Sequence, residues 1–164
     1  MRPQLQTEFG PKGSCFSTAL ACILDLDVSE VPNFNTHFEP HANWYRAFRA
    51  WVRGRGFDTT SWAYEILLDS SARRAVVPMT PVEYAVSFCR LGGLDTIACG
   101  LGPRGYKHAT VYRDGELVWD PHPEGGGLVR VEEFHLVLPA AEIAKREVEA
   151  AVRRKPPANS LPIG

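Results

Sequence analysis

The chain has 164 residues, and its 18 Lys and Arg nearly balance 19 Asp and Glu for a formal net charge of −1; this suits one domain with a sizeable core and excludes a broad polyanion-binding or membrane-binding surface. No apolar run approaches the ~18 residues of a membrane span, and the opening Met1-Arg-Pro-Gln-Leu-Gln lacks an apolar signal core, so a soluble, cytoplasmic protein is expected. The four cysteines, at 15, 22, 89 and 99, form neither a Cys-x-x-Cys pair nor a disulfide framework, which fits reduced thiols.

Residues 1–12 are irregular, broken by Pro3, Gly10 and Pro11. From Cys15 to Leu24 only Ser17 and Thr18 are polar. A helix apolar on nearly every face belongs in the middle of a domain, and the pattern predicts one over about Ser14–Asp25, with Gly13 as breaker and Ser14 as a candidate N-cap. Asp27 to Pro32 reads as a further short turn of helix. His37 and His41 follow in a loop; their spacing suits two metal ligands on a continuous helix, and Pro40 between them argues against that helix. Trp44, Tyr45, Phe48, Trp51 and Val52 recur at helical spacing and predict an amphipathic helix over about Ala42–Arg53, stopped by Gly54 and Gly56. Arg46, Arg49, Arg53 and Arg55 read as a solvated face, not a nucleic-acid stripe, because the total charge is nearly neutral. Phe57 to Leu68 favours neither helix nor strand. Ala75–Val77 reads as a short strand. Pro81–Leu91 reads as a helix, capped by Thr80 and stopped by Gly92-Gly93.

Beyond Gly93 the period changes. Asp95–Cys99 predicts a strand, and Lys107–Arg113 and Glu116–Trp119 flank Asp114-Gly115, a strong hairpin signal. Val129–Leu138 predicts an edge or closing strand and Ala140–Arg154 a charged helix; the tail from Lys155 has no periodicity and is expected to be disordered. Helices first and an antiparallel sheet second make the expected class α+β. The expected organisation is one domain over residues 1–138, a charged helix over 139–155 and a tail over 156–164.

Cys15 falls at the first helical position, where unpaired N–H groups and the positive helix pole favour a thiolate. Cys22 lies about two turns, or about 10 Å, further on, too far for a disulfide. Cys22, Cys89 and Cys99 read as small core hydrophobes. A thiol nucleophile needs a base within hydrogen-bond reach and a group to orient that base. His108 opens one strand of the predicted hairpin and Asp120 ends the other, so both reach the same open end of the sheet; Pro121 fixes the chain just past the carboxylate. Acyl chemistry also needs donors aimed at the oxyanion. The Cys15 N–H is one. Gln6 or Gln4 can supply a side-chain amide, and Gln6 is favoured because Thr7 to Ser14 is loop enough to fold back beside the helix mouth. A competing arrangement makes His108, Asp120 and His122 metal ligands, since Asp120-Pro121-His122 presents two donors close together.

Gln6, Cys15 opening an apolar helix, His108-Ala109-x-Val111-Tyr112, the Asp114-Gly115 turn and Val118-Trp119-Asp120-Pro121 together resemble a papain-like cysteine peptidase. They are most similar to the bacteriocin-processing peptidase domains of ABC exporters and to small papain-fold proteins of phages. The resemblance covers about Gln4–Pro32 and Leu94–Pro123. It implies a papain-like fold, a buried helix on an antiparallel sheet, with Gln6 as oxyanion donor, Cys15 as nucleophile, His108 as base and Asp120 as orienter. The exporter domains usually carry Asp-Cys-Gly where this chain has Gly13-Ser14-Cys15-Phe16, so their leader-peptide substrate does not transfer. The expected function is hydrolysis of a peptide or isopeptide bond of a polypeptide substrate through a Cys15 thioester, without cofactor, nucleic acid or membrane. Two alternatives stand beside it: acyl transfer to an amine by the same triad, and a binding module that keeps the fold without catalysis.

Overall fold

The fold is built around a helix that solvent hardly touches. A computed structural model describes residues 1–37, 44–63 and 93–145, and in it α1 spans Cys15–Leu24 with Cys15 through Cys22 all buried. Of the two polar residues of that run, Ser17 is absorbed locally, while the buried Thr18 hydroxyl has no hydrogen-bond partner among the described residues. Ser17 Oγ donates to the Pro32 carbonyl at 2.6 Å and accepts from the Phe34 N–H at 3.3 Å. Asp25 closes the helix in the left-handed region, φ 57°. Ser14 stands at the N-cap position but makes no side-chain cap. Its hydroxyl accepts from the Glu8 N–H at 3.3 Å instead, because the preceding loop folds back over the helix start.

A short helical turn, Val28–Glu30, carries a capping box between Asp27 and Glu30. A second spans Phe34–His37. Helix α2 spans Trp44–Arg53 and buries Phe48 and Val52, with Phe48 edge-on to Phe16 and Phe34. The arginines of this stretch form the solvated face expected of them, with surface contacts added. Arg49 and Arg53 both pair with Asp58, and the Arg55 guanidinium lies 3.7 Å over the Trp51 ring.

Five strands follow: β1 Phe57–Ala63, β2 Asp95–Leu101, β3 Lys107–Arg113, β4 Glu116–Trp119 and β5 Arg130–Pro139. They form one antiparallel sheet in the order β1-β5-β2-β3-β4. The class is therefore α+β. The β3–β4 turn has Asp114 at φ 51° and Gly115 at φ 87°, the left-handed pair that a two-residue hairpin requires. Residues 57–63, undecided in sequence, become a strand by pairing with β5. That pairing corrects the expectation for β5, which is neither an edge nor a closing strand but lies between β1 and β2. Its unbroken buried run, Phe134 to Leu138, is what a strand flanked on both sides needs.

Helix α1 packs across β2 and β3, and Ile97, Cys99, Ala109, Val111 and Val137 join its side chains in the main core. On a second, smaller cluster Ile143 packs against Leu136 and Leu138; residues 140–145 are helical. The predicted strand at 75–77, the predicted helix at 81–91, Cys89, His41 and residues 146–164 lie outside the described residues. No helix among the described residues is long and apolar enough to cross a membrane.

Candidate active site

The mouth of α1 is shaped by a folded-back loop. The Gly13 N–H donates to the Gly10 carbonyl at 2.9 Å and the Ser14 N–H to the Glu8 carbonyl at 3.0 Å. Two asparagines brace the loop from outside: Asn33 Nδ2 donates to the Lys12 carbonyl at 3.2 Å, and Asn35 Nδ2 donates to the Gly13 carbonyl. The fold-back leaves no room for a side chain at Gly13, where a Cβ would lie 2.8 Å from the Glu8 carbonyl oxygen. Cys15 emerges at the end of this loop, and the first N–H bonded back along the helix is that of Thr18, to the Ser14 carbonyl at 2.8 Å. The N–H groups of the first turn therefore point towards the mouth.

The hairpin brings the other partners. His108 Nε2 lies 2.7 Å from Asp120 Oδ1, with only 1% and 8% of the two side chains exposed. Asp120 also accepts the His122 N–H on Oδ1 and the Gly127 N–H on Oδ2, both at 2.8 Å. Burial alone would raise its carboxyl, but hydrogen bonds from His108, His122 and Gly127 hold it below the usual carboxylate range. Burial likewise opposes the charged form of His108. Hydrogen bonding to Asp120 and to the Cys15 thiol prevails, and its pKa is raised from 6.5 to about 9. Since Asp120 takes Nε2, Nδ1 is the nitrogen left for the thiol. Gly102 makes room for this ring, for a Cβ there would come within 3.0 Å of His108 Cβ.

A cleft of ≈ 430 Å³ opens over these groups, lined among others by Cys15, His108, Phe16, Trp44, Cys99 and Glu133. Comparison of the chain with family models, with curated proteins and with solved structures gives no match.

The two glutamines part company here. Gln6 is buried. Its Nε2 donates at 2.9 Å to the same Glu8 carbonyl that receives the Ser14 N–H, which puts the amide beside the helix mouth. Its backbone N–H donates to the Pro121 carbonyl at 2.9 Å, tying it to the Asp120 segment as well. Gln4 faces elsewhere: Nε2 donates to the Leu26 carbonyl at 2.6 Å and Oε1 accepts from the Val28 N–H at 3.1 Å. It secures the N-terminal segment to the far end of α1. Cys22 is also away from the cleft, and burial pushes its thiol up, the wrong direction for a nucleophile.

The competing metal arrangement is not assembled. His122 meets His108 edge-on at 6.2 Å between centroids, and its Nδ1 accepts from the Glu124 N–H at 3.2 Å. Among the described residues, the set whose ligand atoms converge is Cys99, Glu133 and His135. Sequence reading missed this set, and Asn33 and Asn35 as well. The alternation of Glu133 and His135 along β5, opposite a cysteine on a neighbouring strand, was the signal; using it required the β2–β5 pairing.

Proposed function

We propose that this chain is a thiol hydrolase with a papain-like fold, cleaving a peptide or isopeptide bond of a polypeptide substrate through Cys15, His108 and Asp120. The observation that carries the reading is the buried His108–Asp120 pair at 2.7 Å, in the same cleft as a thiol at the start of a buried helix. His108, cationic at neutral pH, stabilises the Cys15 thiolate, which attacks the substrate carbonyl carbon. The oxyanion accepts hydrogen bonds from the Cys15 N–H and from the second N–H of the Gln6 amide. As the C–N bond breaks, His108 Nδ1 gives its proton to the leaving amine. His108 then takes a proton from water as the water attacks the thioester, and Cys15 leaves as thiolate. Asp120 holds the imidazole in place throughout and compensates its positive charge.

The test is cleavage of a proteome-derived peptide library by the wild type and by Cys15→Ala, with new termini counted by mass spectrometry. New termini made by the wild type and missing with the variant are the expected result. The reading is overturned if folded wild type makes none and Cys15 reacts with iodoacetamide no faster than Cys22.

A further inference from the structure

We infer that Cys99, Glu133 and His135 form a metal site of the zinc class in the floor of the cleft, separate from the Cys15 chemistry. On the paired strands Cys99 stands directly opposite Glu133, and His135 follows two residues on, opposite Ile97. One face of the β2–β5 seam thus presents a thiol, a carboxylate and an imidazole. Their ligand atoms all lie within 4.8 Å of one another, and His135 Nε2 is 3.6 Å from Glu133 Oε2. Zinc with nitrogen and oxygen at about 2.0–2.1 Å and sulfur at about 2.3 Å sets donor–donor distances of roughly 3.3–3.6 Å in a tetrahedron. A small inward movement of the side chains closes the set.

His135 is the second and independent pointer. It is 0% exposed, and its Nε2 has no hydrogen-bond partner among the described residues, a costly condition for a buried polar atom. Nδ1 lies 2.7 Å from Ser61 Oγ, whose own hydrogen is directed to Tyr45 Oη at 3.3 Å. With Ser61 Oγ accepting from Nδ1–H, Nε2 would present its lone pair to the cluster. A neutral imidazole whose other nitrogen is fixed by a neighbour is the form that binds a metal. The lone pair faces a carboxylate and a thiol, a surrounding short of donors that a Lewis acid would satisfy. One sulfur, one nitrogen and one oxygen donor favour Zn²⁺ or Co²⁺ over Mg²⁺ or Ca²⁺. Cys99 and Glu133 line the cleft, and 32% of the Glu133 side chain is exposed. That provides an entry path and leaves the fourth coordination position to water from the cleft. The Cys99 thiol gives up its proton to solvent on binding, and the ion ties β2 to β5 beneath the substrate.

The experiment uses the full chain carrying Cys15→Ala, so that neither turnover nor the Cys15 sulfur enters the readout. After treatment with a chelator, it is titrated with Co²⁺. One equivalent should develop a thiolate-to-cobalt charge-transfer band that Zn²⁺ abolishes. The band should persist when Cys22→Ala is added and vanish with Cys99→Ser. Ser61→Ala, which frees His135 Nδ1 without touching a ligand, should weaken cobalt binding about 10–100-fold and keep the band at saturation. Absence of the band in folded Cys15→Ala protein, or its survival in Cys99→Ser, overturns the inference and leaves His135 and Glu133 as metal-free neighbours. If Cys99→Ser does not fold, unchanged affinity in Ser61→Ala serves as the refuting result. None of these readouts depends on hydrolysis, so the site and the hydrolase reading can fail separately.

Discussion

Asp120→Asn is the substitution that most sharply separates a catalytic orienter from a structural brace. Asp120 accepts three N–H groups, His108 and His122 on one oxygen and Gly127 on the other. Asparagine has one acceptor oxygen. Turned to keep His108 and His122, its amide nitrogen meets the Gly127 N–H donor to donor; turned the other way, it opposes His108. The unsatisfied buried contact costs about 1–3 kcal/mol in stability, which lowers the melting temperature without unfolding a protein of ordinary stability. The electrostatic effect is distinct. Raising His108 from 6.5 to about 9 represents roughly 3 kcal/mol of preference for the imidazolium, at about 1.4 kcal/mol per tenfold; Asp120 and Cys15 together supply it against burial. With Asp120 neutralised, the imidazole should titrate near or below its ordinary value. NMR titration of the His108 ring, assigned by comparison with His108→Gln, should show an inflection near 9 in the wild type and a clear downward shift in Asp120→Asn. Alkylation of Cys15 by iodoacetamide near pH 7 should slow in parallel. An inflection that stays near 9 in folded Asp120→Asn would refute the pairing as the source of the imidazolium, and Asp120 would then be only a brace for the loop ending at Gly127.

Gln6→Ala should lower peptide turnover by roughly a hundred- to a thousandfold while Cys15 alkylation persists, because the small electrophile forms no oxyanion; Gln4→Ala should instead lose two hydrogen bonds, about 2 kcal/mol of stability, with turnover spared. The opposite assignment of losses, read by turnover and urea midpoint on the same samples, would exchange their roles. His108 also makes stability depend on pH. Its folded pKa of about 9 lies above the ordinary 6.5, so the stabilisation is fully present below about 6.5 and is lost as pH rises through about 9. Urea midpoints measured from about pH 6 to about pH 10 should fall over that window in the wild type and fall less in His108→Gln.

How much of this was legible in the sequence follows from the range of each interaction. The buried helix, the amphipathic helix and the Asp114-Gly115 hairpin depend on residues within a few positions of one another. α1, α2, β3 and β4 accordingly lie where period and turn chemistry put them. The hairpin geometry also carried His108 and Asp120 to one end of the sheet. β1 was not readable, since Phe57 to Ala63 has no clear period and becomes a strand only against β5, more than seventy residues later. The place of β5 inside the sheet was hidden for the same reason. Ser14 looked like an N-cap because the local pattern allows it; a tertiary loop claims its hydroxyl for Glu8. Loop length favoured Gln6 over Gln4 in the sequence, and the packing of the N-terminal segment against Leu26 and Pro121 separates them in space.

Glu132 and Glu133 show how a single irregularity sets the character of the cleft. Adjacent residues of a strand point to opposite faces, so one glutamate should turn inwards and one outwards, but the sequence does not say which. The choice is made at a bulge. Cys99 pairs with Glu133, whereas the next residue, Gly100, pairs with Val131, leaving Glu132 as the extra residue. Glu132 bonds to Lys107 and to Arg130, the latter at 2.6 Å, and these cations account for its charge. Glu133 lines the cleft opposite Cys99, two residues before His135. Gly100 is required for this, because any Cβ there would collide with the Arg130 carbonyl. A residue with a side chain at 100 would push β5 away from β2 at the point where the register changes. The distance between Cys99 and Glu133 would change with it, whereas the His108–Asp120 contact is made on the other side of β2, between β3 and the loop after β4. The thiol site and the Cys99–Glu133–His135 cluster thus meet in one cleft from different sides of β2, the first through β3 and the loop after β4, the second through the β2–β5 seam.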